Sequence, residues 1–290
     1  AVARIISGKD NQLIFLGGMS GLLAGLMHLS RADGLLWAVL IPFFFLIAAF
    51  SQRKRNDFNW RKFVFGTGAG LLVYMLLLAP WFYRNLQLFG SLTAKGTSHN
   101  LFLTQYNDLF IFPVSVLTIE RWLSMGFGGI LQQRLDAVGV NLLSLLGVQM
   151  LIIQLPLIII GIWKNWKATW VKVNVFGLCT LFLFFTFVFP LAGKRGSFFH
   201  SSTAFQIFLW SMSIYGLRHI ISFLPLNEGI DRKTFERFIG VGFLLIVVVI
   251  SGVLFMVKYP TWKSGVTEIA SINETLLDLG ISEDMIILIN

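Results

Sequence analysis

The chain has 290 residues, of which 56% are hydrophobic and only 13% charged, with 29 Phe and 9 Trp. Soluble domains carry roughly 25% charged residues, so this composition excludes a chain that covers itself in water. The formal charge is +9 with a single Cys179, which excludes a disulfide framework and a cysteine-based metal site.

Residues 1–12 form a polar entry to a first helix, not a signal peptide. Uncharged runs follow at 13–29, 35–50, 63–80, 138–162, 173–190, 203–217 and 238–257. A crossing helix needs roughly 20 apolar residues, so about seven transmembrane helices are expected. The second run is completed by Gly34, and the sixth by continuing past a snorkelling Arg218. A re-entrant pair around 30–34 is the alternative for the first two.

If the spans alternate, the segments 1–12, 51–62, 163–172 and 218–237 share one side and hold 14 of the 23 Lys and Arg. They also hold five of the 14 acidic residues, so the whole +9 lies there and the opposite side is neutral. By the positive-inside rule that side, with the N-terminus, is cytoplasmic. The basic balance then reports topology and bilayer contact, with no nucleic acid as partner. Trp60, Trp81, Trp163, Trp166, Trp170 and Trp262 fall near span ends, as an interfacial belt predicts. The expected class is an all-α polytopic protein of the cell (plasma or inner) membrane.

The transmembrane domain covers 1–257 and includes a long outer loop, 81–137. Within it Leu117–Leu135 mixes apolar positions with Glu120, Arg121, Gln132 and Arg134, the pattern of a helix lying in the membrane interface. Residues 258–290 leave as Lys258-Tyr-Pro260, continue as an amphipathic helix over Val266–Leu279 capped by Gly280, and end in a strand, Met285–Ile289. That order is expected for the start of an extracytoplasmic α/β domain. Both ends have the character of cuts within a longer protein.

Two clusters suggest chemistry. Arg31 and Asp33 lie at the outer turn of a helical hairpin, where charges are costly and tend to be paired or functional. They either cap a tight turn with Gly34, or Arg31 grips a lipid phosphate through its planar guanidinium. In Gly193-Lys-Arg-Gly-Ser-Phe-Phe-His-Ser-Ser202, adjacent cations Lys194 and Arg195 oppose the charge rule, and glycines let backbone N–H groups approach an anion. A solvated loop is the plainer account, and His200 is a weaker candidate for a general base. Arg84, after Trp81, either reaches an interfacial phosphate or anchors the helix by snorkelling. His28 is expected to be packed in the core, and His99 and His219 come with no metal-ligand spacing. Neither a P-loop, a dinucleotide fingerprint nor a nucleophile elbow occurs, so a nucleotide-driven pump or a hydrolase has no support, and no cofactor is assigned.

The stretches Gly21-Leu-Leu-Ala-Gly-Leu-Met-His-Leu-Ser-Arg-Ala-Asp-Gly-Leu35 and Ala79-Pro-Trp-Phe-Tyr-Arg-Asn-Leu-Gln-Leu-Phe-Gly90 resemble motifs of GT-C-fold membrane glycosyltransferases of the dolichyl-phosphate-mannose protein mannosyltransferase type. The Phe198-Phe-His-Ser-Ser202 run resembles bacterial members of that family. The resemblance implies transfer of a sugar from a polyprenyl-phosphate carrier to an acceptor outside the cytoplasm. It implies a catalytic carboxylate in a first outer loop that precedes this segment, so no catalytic residue is named. Arg31 is the position it assigns to the carrier phosphate, and Ala32-Asp33 departs from the more usual Pro-Glu. Two other classes stand beside it: a non-enzymatic transporter of lipid-linked saccharides, and a lipid-linked polysaccharide polymerase or ligase.

Overall fold

A computed structural model describes residues 10–31, 34–52, 60–93, 98–111, 113–224 and 231–278. Among these residues every regular element is helical. In chain order they are α1 (Asp10–Ser30), α2 (Gly34–Gln52) and α3 (Trp60–Phe89), then three single 3₁₀ turns between 98 and 116. There follow α4 (Ile119–Leu123), α5 (Gly126–Leu143), α6 (Leu155–Lys164), α7 (Thr169–Leu183), α8 (Pro190–Lys194), α9 (Ser197–Ser202), α10 (Gln206–Ile221) and α11 (Arg232–Asp278). Among the described residues, four helical stretches are long and apolar enough to cross a membrane: Gln12–Ser30, Phe63–Phe89, Thr169–Val188 and Lys233–Thr261. A fifth is reached if the bent pair Gly126–Gln149 and Ile152–Lys164 counts as one span. The chain has the build of a helical membrane protein.

The chain divides into two compact units between His219 and Ile220. The first is organised by glycines. A Cβ on Gly17 would meet the Gly66 carbonyl oxygen at 1.9 Å, and one on Gly21 would meet that of Gly70 at 1.9 Å. Small residues four apart on α1 and α3 therefore let the two backbones touch, as in membrane helix pairs generally. The pairs 17–66 and 21–70 advance together, so α1 and α3 run parallel. A second close approach joins α6 and α10, where Gly161 faces the Met212 carbonyl and Gly216 that of Leu157. Here the order reverses, and the two helices are antiparallel.

Helix α2 forms the wall between two apolar clusters. Ala38, Ile41, Phe45 and Ala49 pack with Leu13, Tyr74 and Leu78 of α1 and α3. Leu36 and Leu40 face the other way, onto Leu178 and Leu181 of α7, Phe205 in the turn before α10, and Leu209 of α10. Elsewhere large apolar side chains point outward, Phe65, Leu76 and Ile207 among them, which suits contact with lipid.

Several boundaries differ from those expected. The outer loop does not begin at 81, because α3 continues through Pro80 to Phe89. A proline inside a membrane helix removes one hydrogen bond without ending the helix. The stop comes at Gly90, whose left-handed φ of 68° lets its N–H cap the Leu86 carbonyl. The uncharged run 138–162 is not one straight span. A π turn, Ser144–Gln149, extends α5, and the chain then bends by 76° at Met150–Leu151 before α6. Leu151 holds the only positive φ of a non-glycine residue among the described residues, 45°. Likewise α11 does not end at Val257 but runs through Pro260 to Asp278, absorbing the helix expected from 266. The expected strand Met285–Ile289 and the Gly280 cap lie outside the described residues.

Candidate functional site

The turn between α1 and α2 is tight for an identifiable reason. Arg31 N–H donates to the Met27 carbonyl and Gly34 N–H to the Arg31 carbonyl, both at 2.9 Å. A Cβ on Gly34 would lie 2.2 Å from the His28 nitrogen, so only glycine lets α2 start so close to α1. His28 points inward and shares a 2.6 Å hydrogen bond between its Nδ1 and the Tyr74 hydroxyl. Arg31 is thereby carried to the exposed rim of the hairpin.

Opposite this rim lies α9. Its entry is Gly196, at φ 98°, and its first turn closes with His200 N–H on the Gly196 carbonyl at 2.9 Å. Gln149, buried at the end of α5, fixes α9 from behind: its Nε2 donates to the Phe199 carbonyl at 3.0 Å and to Ser202 Oγ at 3.1 Å. Trp210 Nε1 in turn donates to the Gln149 carbonyl at 3.1 Å. The π turn that ends α5 thus sets the position of the short helix bearing His200.

Hairpin and α9 together enclose a cavity of about 240 Å³. Its polar lining is Ser30, Arg31, His200, Ser201 and Thr203; Met27, Gly34, Trp37 and Ala204 complete it. Trp37 is stacked on Phe205 at 5.6 Å between ring centroids, which holds the apolar wall. Arg31 and His200 beside one aromatic wall suit an anionic group with an apolar attachment; the Ser30 and Thr203 hydroxyls already donate to the Met27 and His200 carbonyls. The volume lies below the roughly 300–1,000 Å³ of drug-sized sites, so it suits a headgroup and not a whole saccharide.

The other expected site residues lie elsewhere. Lys194 Nζ is 2.9 Å from Asp136 Oδ2 on α5. The Arg195 guanidinium stacks over the Tyr106 ring at 4.1 Å, so this adjacent pair of cations joins α5 and the 106–110 turn. Arg84 stands over Trp81 at 5.4 Å on α3, a cation–π contact. Asp33 lies outside the described residues. Among the described residues, no group of three His, Cys, Asp or Glu is placed to hold a metal ion.

Sequence reasoning missed the strongest ionic cluster. Asp108 is fully buried in the 3₁₀ turn Tyr106–Phe110. Its Oδ2 accepts from the Thr104 N–H at 2.8 Å, the Thr104 hydroxyl at 2.7 Å and the Gln105 N–H at 3.1 Å. Its Oδ1 accepts from Arg121 Nη2 at 2.9 Å. Burial opposes its ionisation, but the Thr104 and Gln105 hydrogen bonds and the Arg121 charge outweigh it, and the carboxyl sits below the usual range. Gln133 Nε2 donates to the Leu103 and Thr104 carbonyls at 3.3 and 3.2 Å, which fastens the same turn to α5. The only signal in the sequence was an Asp within a polar stretch. Comparison with protein-family models, with curated proteins and with solved structures returns no match for this chain.

Proposed function

We propose that the chain belongs to a GT-C-type membrane glycosyltransferase that takes a sugar from a polyprenyl-phosphate donor and passes it to an acceptor outside the cytoplasm. The observation that supports this reading best is the convergence of Arg31 and His200 on one cavity, although the two lie in separate sequence motifs. In this role Arg31 binds the donor phosphate and Trp37 flanks the first prenyl unit, while the Ser30 and Thr203 hydroxyls stay donated to the Met27 and His200 carbonyls. Lys194 and Arg195 hold the outer segment in place beside the site. The acid that activates the acceptor is assigned to no residue of this chain.

The proposed topology has seven crossings in the cell (plasma or inner) membrane, with the N-terminus cytoplasmic. Parallel α1 and α3 support it, since α2 must then return across the bilayer between them. Of the paired helices, α5 is the crossing and α6 turns aside at its far end.

The test uses the native protein in lipid nanodiscs and a fluorescent polyprenyl phosphate, with the matching polyprenol as control. A charge-assisted hydrogen bond contributes about 1.5–3 kcal/mol, so Arg31→Ala should weaken phosphate binding by roughly tenfold or more and leave polyprenol binding unchanged. Equal affinity in Arg31→Ala and wild type removes Arg31 from the site. A transporter of the same lipid-linked saccharide is the second reading, favoured by the 76° helix break and by the π turns 144–149 and 184–188. Binding together with flux across sealed vesicles, and without sugar transfer, would select it.

A further inference from the structure

The outer segment carries an apolar ridge that the protein itself leaves uncovered. Ile119 and Leu123 on α4 are 47% and 54% exposed; Phe127, Leu131 and Leu135 on α5 are 80%, 44% and 54% exposed. Successive members are four residues apart. At about 100° per residue, Phe127, Leu131 and Leu135 occupy an arc of roughly 80° on α5. Gln133, Ala137 and Asn141, all buried, share a second arc, turned against the bundle. Between these two lies a polar edge, where Gln132 Nε2 donates to Asp136 Oδ1 at 2.8 Å and Asp136 pairs with Lys194. Three faces on one helix fit three neighbours: protein, water and something apolar.

The two arginines nearest the ridge turn away from it. Arg121 is drawn to Asp108, and Arg134 donates to Gln133 Oε1 at 2.7 Å and stacks over Trp122 at 5.1 Å. The α5 part of the ridge is therefore uncharged, and the exposed Glu120 of α4 stands beside its Ile119–Leu123 margin. Phe127 stands free on it, because a Cβ placed on Gly126 or Gly128 would meet nothing within 4 Å. The same helix runs on from Gly126 to Gln149 as part of an apolar pair of membrane-crossing composition.

We propose that this ridge is a bilayer-contact surface: Phe127, Leu131 and Leu135 enter the boundary between headgroups and acyl chains of the outer leaflet, with Leu123 and Ile119 at its margin. The Gln132–Asp136–Lys194 edge faces water. The segment that Asp108, Lys194 and Arg195 tie together is then fastened on two sides, to the bundle by polar contacts and to the lipid by this face. The inference stands independently of the transferase reading.

Nitroxide scanning tests it in the full chain, reconstituted in vesicles of phosphatidylcholine and phosphatidylglycerol. On a Cys179→Ser background, single labels are set at Phe127→Cys, Leu131→Cys, Leu135→Cys and Gln132→Cys, and collisions with oxygen and with a water-soluble nickel chelate are compared. Oxygen collisions should exceed nickel collisions at 127, 131 and 135, and the order should invert at 132. Nickel access at 127 and 131 equal to that at 132 overturns the proposal. So does dipolar broadening at 127 that disappears on dilution with unlabelled chain, since a second copy would then cover the ridge. Thermal melting of each labelled variant identifies any that fails to fold, and Leu123→Cys, at the margin, replaces it.

Discussion

Replacing Gly21 with alanine sets a methyl group 1.9 Å from the Gly70 carbonyl oxygen, whereas ordinary contact begins at 3.4 Å. The obstacle is backbone, so no rotamer change relieves it, and α1 and α3 must part locally by about 1.5 Å. A gap of even 0.5–1 Å forfeits about a quarter to a half of each dispersion well along the seam. Overpacking of this kind costs about 1–3 kcal/mol, offset by roughly 0.5–1 kcal/mol because alanine is the better helix former. The net expectation is a loss of about 1–2 kcal/mol. Gly68→Ala is the control, since a Cβ there meets nothing within 4 Å; it should be neutral or stabilising by up to about 1 kcal/mol. Adding Gly17→Ala to Gly21→Ala should cost less than the sum of the two, because helices already separated accommodate the second methyl. Unfolding in mixed micelles by titration with sodium dodecyl sulfate, followed by tryptophan fluorescence, gives the comparison. Gly21→Ala no less stable than Gly68→Ala would refute the backbone contact.

Two further expectations follow from particular geometries. The Asp108 carboxyl is depressed in the folded state, so its stabilisation is complete above the unfolded value of about 3.9 and is lost as pH falls through the lower folded value; Asp108→Asn should lower stability at neutral pH and flatten the acid limb of the melting temperature. At Leu151, where φ is 45°, Leu151→Ala and Leu151→Gly delete the same packing but differ in strain, so the glycine variant should be the more stable by about 1–2 kcal/mol, the reverse of the usual helix order.

The helical membrane class was legible because composition alone forces it, and helices α1 and α2 because charged or glycine-rich turns flank them, although of these two only α1 is long and apolar enough to cross a membrane. Extents were less legible wherever hydropathy and backbone geometry part company. Pro80 and Pro260 look like exits in sequence, yet each costs its helix a single N–H and the helix passes through. The run 138–162 is apolar throughout and gives no sign of the bend at Met150–Leu151, because hydropathy measures solvent preference and not direction. Glycines at 17, 21, 66 and 70 stand in pairs four apart, but nothing in their order says which helix pairs with which.

At the site, Arg31 and His200 were both singled out, and the cavity unites them. Their distance in sequence hid that union. Lys194 and Arg195 were judged by their number and side, whereas their role depends on Asp136 and Tyr106, which come from another segment. Asp108 was overlooked for a related reason: its donors Thr104 and Gln105 are ordinary loop residues until a 3₁₀ turn points their N–H groups inward.

The parallel pairing of α1 with α3 also imposes a schedule on biosynthesis. The Gly66 and Gly70 strip is made roughly 50 residues after the strip on α1 that it must meet, which at about 5–20 residues per second is a delay of roughly 2–10 s. Through that interval the glycine face of α1 has no α3 to pack against, and the close backbone seam forms only once the third helix has been made.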